Sequence, residues 1–242
     1  AVTKIRPKSH RLVEILQSSC STLIAIDPKL GLTFIEEAVE RFPGDERLTR
    51  QMARCFEKTG DINSALEVLE NCSQPSSIEL SKKFREMSEI LSEGINLKSI
   101  TESIDYVPRI GKIVYNVHSS LPYVTSGYTI RTESVVKSLI KSDFEVVVNC
   151  RWGFPTDKYP EKSMFNVNEI EDIDGVKHIF SPDEKGIRGS RFRDYCQRSA
   201  DNMLPKIIQE SPSVILAASD YSIGLPSAHI AKELGIPFIY EM

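Results

Sequence analysis

The chain has few cysteines and no long apolar run, and each absence excludes a class of protein. Its five cysteines are widely spread and never in Cys-x-x-Cys spacing, which argues against a disulfide framework and against a zinc site. No apolar stretch reaches the roughly 20 residues that a membrane span needs, and the N-terminal residues lack the apolar segment of a signal peptide. We therefore expect a cytoplasmic protein without a transmembrane segment, whose association with a membrane would be peripheral.

An excess of basic residues is also lacking. Lys and Arg number 30 against 34 Asp and Glu, which gives a formal net charge of -4. This balance disfavours a nucleic-acid partner. The 40% of hydrophobic and 26% of charged residues are typical of a globular protein with a buried core.

The first part of the chain carries apolar residues at helical spacing. Phe34, Ile35, Ala38 and Phe42 recur as one face of a helix would require. Turn and N-cap residues separate such segments, at Asp27-Pro28, Pro43-Gly44-Asp45, Gly60-Asp61 and Gln74-Pro75. We predict an all-helical region over residues 1–103.

Within this region, residues 45–72 resemble a tetratricopeptide repeat, an antiparallel helix pair of about 34 residues. One helix carries Leu48, Met52 and Ala53, and after Gly60 a second carries Ala65. Such repeats bind protein partners. A helical cap that packs on the neighbouring domain is the alternative.

From Gly111 onward the pattern changes to short β-branched runs that alternate with helical segments. This alternation predicts a Rossmann-like α/β domain with a parallel sheet over residues 104–242. The predicted strands are 112–117, 144–150, 176–180, 214–218 and 236–240, and the predicted helices are 128–141, 190–210 and 225–234. We expect the first of these helices to present Ile130, Val135, Leu139 and Ile140 to the sheet.

The loop after the first predicted strand, residues 118–128, is rich in hydroxyl groups and ends at Gly127, where a helix begins. A helix N-terminus presents unpaired N–H groups that can hold an anion such as a phosphate. The loop matches neither Gly-x-Gly-x-x-Gly nor the Gly-Lys-Ser/Thr loop. An ordinary capped turn is therefore an equal alternative.

Several segments together resemble the N-terminal domain of family 4 glycosyltransferases, which have the GT-B architecture. They are Ser-Leu-Pro-Tyr at 120–123, Ser-Gly-Tyr-Thr-Ile-Arg at 126–131, Arg-Trp-Gly-Phe-Pro at 151–155, Ala-Ser-Asp-Tyr at 218–221 and Ala-Lys-Glu-Leu-Gly-Ile-Pro at 231–237. The resemblance implies retaining transfer of a hexosyl group from a nucleotide sugar, with no further cofactor and no metal, to a glycan or glycolipid acceptor. The acceptor would lie against this domain.

The resemblance also implies which residues line the cleft. Ser126 and Gly127 match a Gly-Gly pair near the donor phosphates, and Tyr128 and Arg131 follow within one helical turn. An ion pair within the helix is the alternative role of Arg131. Residues placed just past the strands would contact the acceptor, namely His118, Arg151, Trp152, Asp220, Tyr221 and Glu241. For Trp152 a core position, and for His118 a structural hydrogen bond, are the alternatives.

The family's donor-binding glutamate pair belongs to a C-terminal domain that this chain lacks, so we expect the chain alone to transfer nothing, and we assign it no catalytic residue. The second hypothesis is a repeat-bearing protein-interaction module without catalysis. A dinucleotide-dependent oxidoreductase is disfavoured, because the glycine fingerprint is absent and Asn149-Cys150-Arg151 closes the second strand without an acidic residue.

Overall fold

The computed structural model describes residues 8–99, 105–158, 167–187 and 191–241, with side chains from residue 11 onward. The chain divides into two compact units, Ala1–Gly94 and Ile95–Met242. The boundary that we predicted between residues 103 and 104 lies outside the described residues. The described residues 95–99 belong to the second unit.

The described residues of the first unit are helical, as the spacing predicts. Asp27, Asp45 and Asp61 each cap a helix N-terminus with a side-chain oxygen, and Gly60 ends a helix in the left-handed conformation. The helices are α1 (Lys8–Ile26), α2 (Pro28–Arg41), α3 (Glu46–Thr59), α4 (Ile62–Leu69) and α5 (Pro75–Glu93).

Two small cores hold these helices together. One combines residues of α1, α2 and α3 around Ile35 and Leu48, and the other combines residues of α3, α4 and α5 around Ala53 and Phe84. Glu46 at the start of α3 accepts hydrogen bonds from the backbone N–H groups of Ser73 and Gln74, directly before α5. Together with a hydrogen bond from the Ser77 hydroxyl, these bonds lower the pKa of the Glu46 carboxyl to about 2.

The second unit is an α/β domain with a six-stranded sheet in the order β3-β4-β2-β1-β5-β6. All strand pairs are parallel except β3 with β4. The Rossmann-like α/β prediction is thereby confirmed. The elements are β1 (Arg109–Val117), α6 (Gly127–Lys141), β2 (Glu145–Gly153), β3 (Ile170–Ile173), β4 (Val176–Pro182), α7 (Phe192–Glu210), β5 (Pro212–Ala218), α8 (Tyr221–Leu234) and β6 (Phe238–Glu241).

The edge strand β3 has no counterpart among the predicted strands. It forms an antiparallel hairpin with β4 through Asp174 and Gly175, both of which have positive φ. An Asp-Gly pair between two strands is the sequence signal of this tight turn, and it could have indicated the hairpin. Helix α8 also begins at Tyr221 rather than at residue 225, because Asp220 supplies its N-cap.

The prediction for the buried face of α6 was wrong in part. Val135 and Leu139 pack against the sheet, but Ile130 and Ile140 are 59% and 42% exposed. The buried face is formed by Thr129, Thr132, Glu133 and Val136, which recur at i, i+3, i+4 and i+7. Polar residues dominate this face, so the apolar pattern indicated the wrong orientation.

Helices cover the two faces of the sheet unequally. Residues of α7 and α8 pack with Val114 and Ile215 on one face, whereas Val136 of α6 packs with Tyr115 and Val148 on the other. Before β1, Leu97 packs into the core of the same unit, and the Lys98 backbone N–H donates to Gln197 at 2.7 Å. None of the helices in the described part of the chain has the length and hydropathy that crossing a bilayer requires.

Candidate functional site

The strand order places a topological switch point between β1 and β5. The connection from β1 to β2 runs through α6 on one face, whereas the connection from β5 to β6 runs through α8 on the other. Loops that leave the carboxyl ends of the two strands therefore diverge and leave a crevice. Open α/β sheets bind their ligands at such a point.

A small pocket opens at this edge, with a cavity volume of about 70 Å³. It has room for a few groups the size of a water molecule, whereas pockets that enclose whole drug-sized ligands measure about 300 to 1,000 Å³. The pocket is therefore large enough for part of a ligand but not for a whole one. Its lining residues are Tyr115, Tyr128, Arg131, Thr132, Ala218, Ser219 and Glu241.

Arg131, Glu241 and Tyr115 form a connected chain of polar groups in this pocket. The Arg131 guanidinium pairs with one carboxylate oxygen of Glu241, and the Tyr115 hydroxyl donates to the other at 2.7 Å. Burial and the hydrogen bond to this carboxylate both raise the pKa of Tyr115, so its hydroxyl stays protonated. The sequence placed Arg131 and Glu241 in different ligand sets, and the structure brings them together.

Tyr128 links the ends of β1 and β5. Its hydroxyl accepts the backbone N–H of His118 at 3.0 Å and lies 3.5 Å from the carbonyl oxygen of Ala218. Burial raises its pKa to about 12, so the phenol is neutral at physiological pH. The Tyr128 side chain thus holds together the two strand ends beside the pocket.

Ser219 is a pocket residue that sequence reasoning missed. It has a φ of 97°, which a non-glycine residue rarely adopts. Its carbonyl accepts the Tyr240 hydroxyl at 3.2 Å, and among the described residues its own hydroxyl has no hydrogen-bond partner. Strained backbone is concentrated at functional sites. No signal in the sequence distinguishes this serine.

Ser126 and Gly127 lie at the start of α6. Ser126 and Thr129 form a capping box, so the serine oxygen serves the helix. Gly127 is exposed and helical, and nothing lies within 4 Å of where a Cβ would stand. The backbone at position 127 could therefore accommodate a residue other than glycine. A contact with a donor phosphate stays a prediction.

Arg151 and Trp152 are buried rather than exposed to the crevice. The Arg151 guanidinium is 2% exposed and makes two hydrogen bonds to Asp157, at 2.6 and 2.9 Å. Trp152 is 6% exposed and packs on Tyr195, with 5.7 Å between ring centroids. Arg151 thus holds the loop after β2 through Asp157, and Trp152 packs between β2 and α7. The core position that we gave as the alternative for Trp152 is the one that the structure shows.

His118, Asp220 and Tyr221 lie beside the pocket but outside its lining. Within the described ranges the His118 ring has no hydrogen-bond partner, and burial together with the charge of Arg151 lowers its pKa to about 4. Asp220 caps α8 by accepting the Ser222 N–H at 2.9 Å. Tyr221 is 60% exposed and packs edge-on against Phe192. Their contact with an acceptor stays a prediction.

A second polar cluster lies in the core beneath the loop that follows β1. The Ser120 hydroxyl and His178 Nδ1 are 2.8 Å apart, and the His178 Nε2 lies 3.9 Å from a Glu133 oxygen. His178 is fully buried, and burial lowers its pKa to about 4. Burial also raises the pKa of Glu133. Ser120 is 1% exposed, so this group anchors the loop and offers no surface to a substrate.

Neither a metal site nor a comparison of sequences adds to the description of this pocket. Across the described ranges, no three His, Cys, Asp or Glu side chains are grouped as a metal site would require. No protein-family model matches the chain, and no curated protein matches it in sequence.

Two crystal structures of the C-terminal domain of a hydrogenase from Pyrococcus furiosus are similar to part of this chain. One has a TM-score of 0.36 and 12% identity, and covers 58% of this chain and 97% of that domain. The other has a TM-score of 0.37 and 13% identity, and covers 55% of this chain and 91% of that domain. A likeness of this degree carries no argument about the activity of this chain.

Proposed function

We propose that the α/β unit is the acceptor-side part of a retaining glycosyltransferase, which moves a hexosyl group from a nucleotide sugar to a polysaccharide or glycolipid. The observation that carries the proposal is the pocket at the carboxyl ends of β1, β5 and β6, lined by Tyr128, Arg131 and Glu241. These residues belong to segments that resemble family 4 glycosyltransferases, and a parallel sheet binds ligands at this edge.

In this proposal Glu241 accepts a hydrogen bond from a hydroxyl of the acceptor. Its carboxylate lies at the end of β6 and is held by Tyr115 and Arg131, so its orientation is fixed before a ligand arrives. Preorganised polar groups lower the cost of binding. A retaining transfer does not require a dedicated general base in this chain, and the donor phosphates would lie near Ser126 and Gly127.

The helical unit has a separate role in the proposal. Helices α3 and α4 are joined by Gly60 and Asp61, and the small buried residues Ala53 and Ala65 lie in their shared core. We infer from this arrangement and from the sequence resemblance that the pair is tetratricopeptide-like and holds a protein partner. The protein would act in the cytoplasm, with peripheral contact to a membrane that carries the acceptor, and would need no cofactor besides the nucleotide sugar.

The test is product analysis with the protein encoded by the complete gene. It is incubated with a panel of UDP-, GDP- and ADP-hexoses and with glycan and glycolipid extracts, and transfer is followed by mass spectrometry. We expect a hexosylated product with retained anomeric configuration, and at least a tenfold loss of turnover in Glu241→Gln. Lys137→Gln, on the exposed face of α6, is the matched control.

Absence of transfer from every donor would contradict the proposal. A protein partner that binds the helical unit under the same conditions would then favour the interaction module. Transfer at an unchanged rate in Glu241→Gln would remove this pocket from the reaction while leaving the transferase assignment in place.

A further inference from the structure

The charges of the pocket are already matched within the protein. Arg131 and Glu241 form an ion pair, and Tyr115 donates to the second carboxylate oxygen at 2.7 Å. A phosphate that accepted from the remaining guanidinium donors would lie beside the Glu241 carboxylate, which already neutralises the charge of Arg131. Two like charges about 4 Å apart repel strongly where water is partly excluded.

A pair of hydroxyl groups meets no such obstacle. The Arg131 side chain is 63% exposed and has donors that the ion pair leaves over, and the Glu241 carboxylate retains lone pairs that can accept. One hydroxyl can therefore accept from the guanidinium while its neighbour donates to the carboxylate. Hydrogen bonds to charged groups are stronger than those between neutral groups.

Ser219 and the surrounding side chains complete this arrangement. Ser219 is an exposed residue that lines the same cavity as the ion pair, and within the described part of the chain its hydroxyl has no hydrogen-bond partner. Tyr115, Tyr128 and Ala218 are the residues of the lining that carry apolar surface. A cavity of about 70 Å³ admits the edge of one ring rather than a nucleotide.

From these observations we propose that the pocket binds two neighbouring hydroxyl groups of an uncharged sugar ring and excludes anions. Glu241 accepts from the sugar, Arg131 donates to it, and Ser219 supplies a third contact. The inference rests on the proposed function, which makes a glycan the occupant of this edge. It names the chemical class that the site selects.

The test is a titration of this chain followed by ¹H–¹⁵N NMR, with the Ser219 amide and the Arg131 Nε–Hε signals as reporters. The probes are methyl glucopyranoside, methyl galactopyranoside and methyl mannopyranoside, the methyl glycoside of glucuronate as their anionic counterpart, and inorganic pyrophosphate. We expect at least one neutral glycoside to shift both signals in a saturable way. Pyrophosphate and the glucuronate should bind at least tenfold more weakly.

Two variants test whether glycoside binding and anion binding change in opposite directions. Glu241→Gln should weaken glycoside binding about tenfold and should at the same time allow pyrophosphate to shift the Arg131 signal, because the guanidinium loses its internal anion. Ser219→Ala should weaken glycoside binding severalfold without this gain. Lys137→Gln on the same helix should change neither titration, because Lys137 pairs with Asp174 on an exposed surface.

Pyrophosphate that binds the wild-type chain as tightly as the best glycoside would overturn the proposal, and so would a failure of all three neutral glycosides to shift either signal. Its failure is distinguishable from that of the proposed function. Glycoside binding by this chain without transfer by the complete protein would reject the transferase and keep the pocket. Transfer by the complete protein without selective glycoside binding by this chain would reject the proposed pocket and keep the transferase.

Discussion

Among single residues, Ser219 combines backbone strain with a place in the pocket. A non-glycine residue in such a sparsely populated region costs about 1 to 3 kcal/mol, and glycine avoids most of that cost. We therefore predict that Ser219→Gly raises the free energy of unfolding by about 1 kcal/mol and weakens glycoside binding. Urea denaturation measures the first effect, and the NMR titration measures the second.

Ser219→Ala is the control, since it removes the hydroxyl but keeps the strain. If Ser219→Ala raised the free energy of unfolding as much as Ser219→Gly, the gain would not come from relief of strain at the φ of 97°.

Two glycines of the α/β unit differ sharply in what surrounds them. A Cβ added at Gly186 would lie 2.7 Å from Asp157 Cβ, and Gly186 has a positive φ. The same atom added at Gly127 would meet nothing within 4 Å. We predict that Gly186→Ala lowers the free energy of unfolding by about 2 kcal/mol or more, whereas Gly127→Ala leaves it nearly unchanged.

Chemical denaturation of the two single variants checks this contrast. Equal losses would mean that the buried pair of Asp157 and Arg151 does not confine the loop that contains Gly186. The pairing of Asp157 with Arg151 could not be predicted, because neither burial nor a partner six residues away is visible in a single sequence.

Secondary-structure elements were predicted more reliably than the faces they present. The β-branched runs indicated five of the strands, because a buried parallel strand needs a continuous apolar segment. The orientation of α6 was not predicted, because its buried side carries Thr132 and Glu133. Glu133 lies inward beside His178 of β4, 3.9 Å from its Nε2, and Thr132 donates to the backbone carbonyl of Tyr128 within the helix. The first contact joins distant parts of the sequence, which a single sequence does not reveal.

One charged cluster joins three elements at the opposite end of the sheet. Lys112 of β1 donates to Glu210 of α7 at 2.8 Å and lies 3.0 Å from Glu145 of β2. Lys112 and Glu210 are each 6% exposed. We predict that Lys112→Met lowers the free energy of unfolding by about 2 kcal/mol, because a buried carboxylate loses one of its partners.

The comparison is Lys137→Met, whose exposed pair with Asp174 should contribute less than about 1 kcal/mol. Similar losses in thermal or urea denaturation for both variants would show that burial adds nothing to the Lys112 cluster.

The whole α/β unit should be sensitive to acid because it buries neutral histidines. Burial lowers the pKa of His118 and His178 from 6.5 to about 4. The unfolded chain therefore takes up protons near pH 6.5 that the fold does not, and stability present above this pH is lost as the pH falls toward 4. Between pH 7 and pH 5 we expect a loss of about 2 kcal/mol for each histidine.

Urea denaturation at both pH values measures this loss, and His178→Gln should remove the part that His178 causes. Glu133 titrates in the opposite sense, because burial raises its pKa. Its protonation in the fold offsets some of the loss, so Glu133→Gln should steepen the dependence on pH. An unchanged slope in His178→Gln would contradict the assignment.

The division of the molecule has a practical consequence for dissecting it. Leu97 lies inside the α/β core, and the side chain of Ser99 donates to Glu233 at 2.6 Å. A fragment that begins after residue 103, at the boundary that we predicted from the sequence, would lack Leu97 and would expose the apolar surface that this side chain covers. A fragment that begins at Ile95 retains the contacts of Leu97 and Ser99 and is therefore the better choice for ligand titrations.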